Sequence, residues 1–242
     1  RTWQETEDGR GVVMISSGTD CYQDRRTAQI TRGCVIELVK HEKPVRILTR
    51  SPAVARDIDV FDAADGLVTV GSSIPSLDDE QVRAIEPGAP APTARLNALE
   101  RISNAGVPVY VSMSPTYPTQ DREDLRNLLK TFKERLDPDV VFHEPINPRG
   151  GNFEMTVQAA KEAGQDELAS KLAELRDRDK WVEYSINQLT AVEELGRELD
   201  VPIHLWPDKQ LIKYAGDLEE HLRNEREKDD SPEDYPRRPA SA

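Results

Sequence analysis

Cysteine is nearly absent: Cys21 and Cys34 are the only two among 242 residues. At that spacing they make neither a CxxC metal pair nor a disulfide scaffold, which suits a reducing compartment and a cytoplasmic location. His41, His143, His204 and His221 form no HxxxH-type pair, so no metal site is expected from this chain's own ligands. Aromatic residues are only 5% of the total. No window approaches the ~20 apolar residues of a membrane span, and no charged-then-apolar leader is visible. Basic residues are in deficit, 32 against 45 acidic, for a net charge of −13. That balance gives no support for nucleic-acid binding, although Arg25, Arg26 and Arg32 cluster closely enough for a local basic groove. Three motifs are missing as well: GxGxxG, GxxxxGK[ST] and the GxSxG elbow. Position 1 is Arg rather than Met, inside a polar run, and the natural protein is expected to begin further upstream.

What is present is alternation. Short apolar runs recur at "GVVMIS" (11–16), "PVRILT" (44–49), "GLVTVGSS" (66–73), "VPVYVSM" (107–113), "DVVFHE" (139–144) and "VPIHLW" (201–206). Several are almost continuously apolar, as strands covered on both faces are. Helical patterns lie between them: "TAQITRGCVIELVKH", "TARLNALERISNAG" with a glycine stop, and "EDLRNLLKTFKERL". Strand–helix alternation predicts parallel strands with right-handed crossovers. An open doubly wound sheet and a (β/α) barrel both satisfy it. The polar clusters after nearly every strand favour the barrel, whose site is assembled from many loops at one rim. Residues 150–200 read as a helical insertion or long crossover. The expected organisation is a partial barrel over 1–216, then a charged helix and a disordered tail over 217–242.

Each polar strand exit has a plain structural reading. In "SSGTD" (16–20), Thr19 or Asp20 could cap the helix that follows. Arg50 in "LTRS" could be a surface cation or a bidentate carboxylate partner. In "GSSIPSLDDEQVRAIEPGAPAPTARLNAL" (71–99), Glu86 could cap a helix or pair with Arg95. A proline-rich break of that length is uncommon in a mere connector. "SMSPTYP" (112–118) and "FHEPINPRGGN" (142–152) are stiffened by proline, so that Ser114, Glu144 and Asn147 point predictably. His143 and Glu144 must face opposite sides of their strand, and packing is the plainer role for the histidine. Asp20 and Glu144 are also the two carboxylates that an ordinary barrel lyase or hydrolase would employ.

In order, these loops resemble the radical S-adenosylmethionine (SAM) superfamily, in particular its spore photoproduct lyase-like or "DNA repair photolyase" branch. "TDCYQD" (19–24) looks like that branch's TDPYQP-type loop, and "VRILTRS" (45–51) like its strand ending in Thr-Lys. "SSIPSLDDEQVRAIEPGAPAPTARLNAL" (72–99) matches S-x-x-x-LD-x-x-x-x-x-x-EPGAPSP-x-x-R almost throughout. "NAGVPVYVSMSPTYP" (104–118) is similar to the AGIPV-x-V-x-x-xPVIP run. The likeness covers roughly residues 12–150 and thins towards 206.

The resemblance implies a partial (β/α) TIM-type barrel of the radical SAM kind with a helical C-terminal extension. It also implies a 4Fe–4S cluster that cleaves SAM to a 5′-deoxyadenosyl radical, which abstracts a hydrogen from an unknown substrate. An electron donor such as ferredoxin or flavodoxin follows from that chemistry. By position, Thr19 and Asp20 fall where the family contacts the methionine amino group and ribose, and Arg50 where a lysine pairs with the methionine carboxylate. Ser73, with Ser72, matches a cofactor-contacting serine, and Ser114 lies near the adenine; Glu144 and Asn147 complete the expected set. The family's CxxxCxxC is absent, so the cluster ligands and first strand are expected before Arg1. The hydrogen-donor cysteine of authentic spore photoproduct lyase falls near Ser17 here, against thymine-dimer repair. Cys21 could be a relocated donor or packing at a helix start. The alternative is a noncatalytic barrel that binds a nucleotide or protein partner.

Overall fold

Six apolar runs become six parallel strands in a computed structural model that describes residues 11–16 and 18–228. They are β1 (Val13–Ile15), β2 (Val45–Leu48), β3 (Val68–Ser73), β4 (Val109–Thr116), β5 (Val140–Pro145) and β6 (Ile203–Leu205). Their order in the sheet is their order in the chain, with Val13 opposite Val45, Val45 opposite Val68, Val70 opposite Val109 and Val141 opposite Ile203. A doubly wound sheet reverses direction at a switch point, whereas this one never does. Crossovers of one hand then place every helix on the same face, which is the wall of a partial barrel.

The helices are α1 (Arg25–Lys40), α2 (Ile58–Asp62), α3 (Asp79–Ile85), α4 (Pro92–Asn104) and α5 (Arg122–Arg135). Three more, α6 (Gly150–Glu162), α7 (Asp166–Glu174) and α8 (Arg178–Leu199), form the long crossover from β5 to β6, followed by α9 (Lys209–Ile212) and α10 (Glu219–Glu227). Asp24 caps α1 rather than Thr19 or Asp20: it accepts the amides of Arg26 and Thr27, both at 2.8 Å, in a capping box with Thr27. Asp121 caps α5 in the same way, and Asp78 caps α3 through the Glu80 and Gln81 amides. Gly106, at φ +83°, sits just past α4, where only glycine turns without steric cost.

The core lies between the strands and these helices. Val45, Ile47, Val70, Val111, Met113 and Val141 are buried against Val35, Leu96, Leu99, Leu128, Phe132 and Val192. Leu222 of α10 belongs to that core, and Arg226 donates to the Pro207 carbonyl just beyond β6, so this charged helix packs on the barrel. The expected tail from residue 229 and the position of Ser17 lie outside the described residues. Among the described residues, no helix is long and apolar enough to cross a membrane.

Candidate functional site at the strand exits

Alternation along a strand gives the sheet two faces. The helices cover the one that carries Val45, Ile47, Val70, Val111 and Met113. The other, inner face carries Arg46, Gly71, Ser73, Tyr110, Ser114, Phe142, Glu144 and His204 by register. The expected site residues lie at the C-terminal edge of the sheet, with Ser72 turned to the helical face.

Asp20 ties the first two strand exits together. Its Oδ1 accepts the Thr49 hydroxyl at 2.6 Å and the Tyr22 amide at 2.8 Å, while Oδ2 accepts the Arg50 amide at 2.8 Å. A carboxylate has about four acceptor positions, so three of them hold the loop and one stays available to a ligand. Thr19 is exposed beside it, and its carbonyl accepts the Ser16 hydroxyl. Ser72 faces the helices, buried, with its hydroxyl on the Thr49 carbonyl at 2.6 Å. Ser73 faces inward and donates to the Ser114 carbonyl at 3.0 Å.

The EPGAP stretch is organised by a buried guanidinium. Arg95 donates from Nε to the Pro90 carbonyl (2.7 Å), from Nη1 to the Ser73 carbonyl (2.9 Å) and from Nη2 to Glu86 Oε2 (2.6 Å). The pairing of Glu86 with Arg95 is therefore present, and Glu86 has a second partner that sequence reasoning missed: its Oε1 lies 3.3 Å from Nη2 of Arg50. A buried charge is tolerated when paired and fully hydrogen-bonded, and Arg95 is both.

At the next exits, Ser114 Oγ lies 3.4 Å from Glu144 Oε2 on the inner face. Burial raises the Glu144 carboxyl above its ordinary range, against the lowering effects of Ser114, Arg226, Arg149 and Asn147. Asn147 donates to Asp208 at 3.3 Å, and Asp208 also pairs with Arg149 and caps α9, so the β5 and β6 loops are joined. His143 points the other way, fully buried, with Nε2 3.0 Å from the Thr116 hydroxyl. Desolvation holds its pKa down at about 3, so the ring is neutral and serves packing.

Below this polar edge runs a layer invisible in a hydropathy reading. Arg46 lies over Tyr110 and Phe142, at 5.3 and 5.4 Å from their ring centroids. Phe142, His204 and Trp206 follow in sequence at 5.0 and 5.8 Å. Strand parity could have found this layer, since Arg46, Tyr110, Phe142 and His204 sit at matching positions of their runs.

The two cysteines occupy different surroundings. Cys34 is exposed on α1, and half-buried Cys21 directs its thiol at the Leu48 carbonyl, 3.9 Å away. Burial, opposed by the Ser16 hydrogen bond, pushes the Cys21 thiol up to about 11. The arginine cluster is partly neutralised, because Arg32 pairs with Asp57 (3.0 Å) and Asp59 (2.6 Å). Among the described residues, the ligand atoms of Glu193, His221 and Glu225 lie within 4.8 Å of one another. Helix packing joins them across a separation that spacing rules do not scan. Arg197 and Lys228 already neutralise the two carboxylates.

A family model described as the Radical SAM superfamily matches residues 3–132. The uncharacterized protein ORF301 of Acidianus two-tailed virus is 32% identical over 148 residues, 59% of this chain and 48% of the viral protein. MJ0683 of Methanocaldococcus jannaschii is 28% identical over 110 residues, 45% of this chain and 42% of that one. Rv2578c of Mycobacterium tuberculosis is 33% identical over 126 residues, 50% and 37% respectively. The chain thus matches about half or less of the length of these relatives. Among solved structures, Streptococcus suis SuiB has the same fold, with a TM-score of 0.52 at 12% identity over 85% of this chain and 41% of SuiB. SuiB bound to S-adenosylmethionine gives a TM-score of 0.51, with the same identity and coverage.

Proposed function

Because this chain belongs to the radical SAM superfamily, we propose that it is the SAM-binding barrel of a radical SAM enzyme. The observation that carries the reading is the family match over residues 3–132, which contains the Thr19, Arg50, Ser73 and Ser114 strand exits. The branch we propose is the spore photoproduct lyase-like one, on the strength of the EPGAP stretch and its Arg95.

The donor set at the inner edge has the chemistry of an amino-acid nucleoside. Arg50 offers a cation to the methionine carboxylate. Thr19 and the remaining acceptor position of Asp20 suit its ammonium group and the ribose hydroxyls. Ser73, Ser114, Glu144 and Asn147 line the side proposed for the adenine, where Ser72 braces the wall from behind. Burial shifts Glu144 towards its protonated form, against the lowering effects of its neighbours. The aromatic layer from Tyr110 to Trp206 forms an apolar floor that keeps water from reaching the ligand from below.

A bound 4Fe–4S cluster supplies the electron for SAM cleavage in such an enzyme. Cys21 and Cys34 do not fit as its ligands: one thiol is held protonated, the other lies outside on a helix, and the family needs three. Its ligands are therefore not these two cysteines. A ferredoxin- or flavodoxin-like electron donor belongs to the same proposal, and the superposed SuiB, also solved with its precursor peptide SuiA, makes a peptide the first substrate class to screen.

Anaerobic reconstitution of the full-length protein with iron and sulfide tests the reading. Broad visible absorbance and reductive release of 5′-deoxyadenosine from SAM are expected. Absence of both in well-folded protein would replace the enzyme with a noncatalytic nucleotide- or partner-binding barrel.

A further inference from the structure

The EPGAP stretch has no role so far beyond shaping a loop, yet its Glu86 is hydrogen-bonded to Arg95 and forms an ion pair with the exposed Arg50. The Arg95 side chain is wholly buried, and its planar fork is fixed by three acceptors on different segments: a loop carbonyl, the last carbonyl of β3 and a carboxylate. Such a fork cannot turn without breaking two bonds at once. It therefore fixes Glu86 from behind. Glu86 is 15% exposed and presents its other oxygen to Arg50, which is 46% exposed. An exposed ion pair with two mobile partners holds no geometry. Here one partner is immobile, so one end of the Arg50 fork is fixed while the rest faces the rim.

Charge sharpens the point. Two guanidiniums share the one Glu86 carboxylate, while the nearby Asp20 carboxylate is engaged by the Thr49 hydroxyl and the Tyr22 and Arg50 amides. The edge of Arg50 turned away from Glu86 has the planar shape to accept a ligand carboxylate.

We infer that Glu86, anchored by Arg95, is a positioning residue that orients Arg50 towards the carboxylate of an amino-acid ligand. The inference rests on the SAM reading above and adds the selectivity element. Arg50 contacts the ligand; Glu86 and Arg95 act through it.

Anaerobic calorimetric titration of the full-length protein reconstituted with iron and sulfide separates this role from a merely structural one. The probes are S-adenosylhomocysteine, which has the amino-acid end, and methylthioadenosine, which lacks it. Arg50→Gln and Glu86→Gln should each weaken S-adenosylhomocysteine binding by about tenfold and leave methylthioadenosine binding unchanged. Combined with Arg50→Gln, Glu86→Gln should cause no further loss, because its effect passes through the arginine. Equal weakening of both ligands, or additive losses in the double variant, would overturn the positioning role while leaving the SAM reading intact. Should Glu86→Gln fail to fold, Glu86→Asp, whose shorter reach releases Arg50, must reproduce the selective loss or the inference fails. A wild-type protein that binds neither nucleoside removes the SAM reading, and this inference with it.

Discussion

The carboxylate of Asp20 and the hydroxyl of Thr49 meet at 2.6 Å across the exits of β1 and β2. Two loops that the sequence separates widely are thereby one structural unit, and the Arg50 and Tyr22 amides join the same carboxylate. Asp20→Ala removes all three bonds and leaves the buried Thr49 hydroxyl and two amides without that acceptor. Hydrogen bonds to a charged acceptor are individually strong, but this one is partly solvated, so the expected loss is about 2 kcal/mol. A lowered urea midpoint with an unchanged slope checks it, and Asp20→Asn should recover part of the loss.

His143 and Glu144 give opposite pH signatures from adjacent positions. Below about pH 6.5 the unfolded chain protonates His143, while the native ring stays neutral down to about 3. The stability it contributes is therefore complete above 6.5 and lost as pH falls through that window, at up to about 1.4 kcal/mol per pH unit. His143→Gln, which keeps a partner for the Thr116 hydroxyl, should flatten the wild-type decline between those limits in urea midpoints measured across pH.

For Glu144 the order is reversed, since burial makes the folded protein hold its proton to higher pH than the unfolded chain. The group costs nothing below the ordinary value of 4.5 and becomes destabilising as pH rises through the raised folded value. Glu144→Gln should thus be more stable than wild type at pH 7, with the advantage vanishing near pH 4. A variant less stable than wild type at pH 7 would show that the charged form is the favoured one.

The cysteines differ in reactivity for a stated reason. Cys21 is held up at about 11 by burial, so almost none of it is thiolate at neutral pH, whereas Cys34 lies exposed on α1. Iodoacetamide at pH 7.5 should label Cys34 and spare Cys21 in native protein, then label both in urea. Mass spectrometry of the tryptic peptides reads the difference. Preferential labelling of Cys21 would return it to consideration as a chemically active thiol.

The six strands were legible because parallel strands covered by helices read as short, nearly continuous apolar runs, even where Met14 is exposed and Arg46 interrupts β2, and the exits because serine, threonine and proline gathered there. Glu86 and Arg95, nine residues apart in one loop-and-helix unit, could be paired from spacing. The contact of Arg50 with Glu86 could not, since it depends on β2 and β3 being neighbours. The cap of α1 was misplaced because the loop runs four residues beyond Asp20 before the helix turns. The layer from Arg46 to Trp206 stayed hidden because Tyr110 and Phe142 count as apolar whichever face they occupy. Strand parity separates the two faces, and register then aligns the layer across strands.

Gly71 and Tyr110 show how tightly that inner layer is built. A Cβ added at Gly71 would lie 2.3 Å from the Tyr110 ring, well inside van der Waals contact. The ring covers the strand where a side chain would stand, and stays edge-on to Phe142 at 5.7 Å. Gly71→Ala must push the ring aside in the middle of the sheet, at a cost of about 1–3 kcal/mol. The cause is local, so Tyr110→Leu on the Gly71→Ala background should cost less than Tyr110→Leu alone. A double-mutant cycle in urea gives the coupling directly. Additive losses would mean that β3 itself shifts to admit the methyl group and that Tyr110 does not set the wall of the barrel at this point.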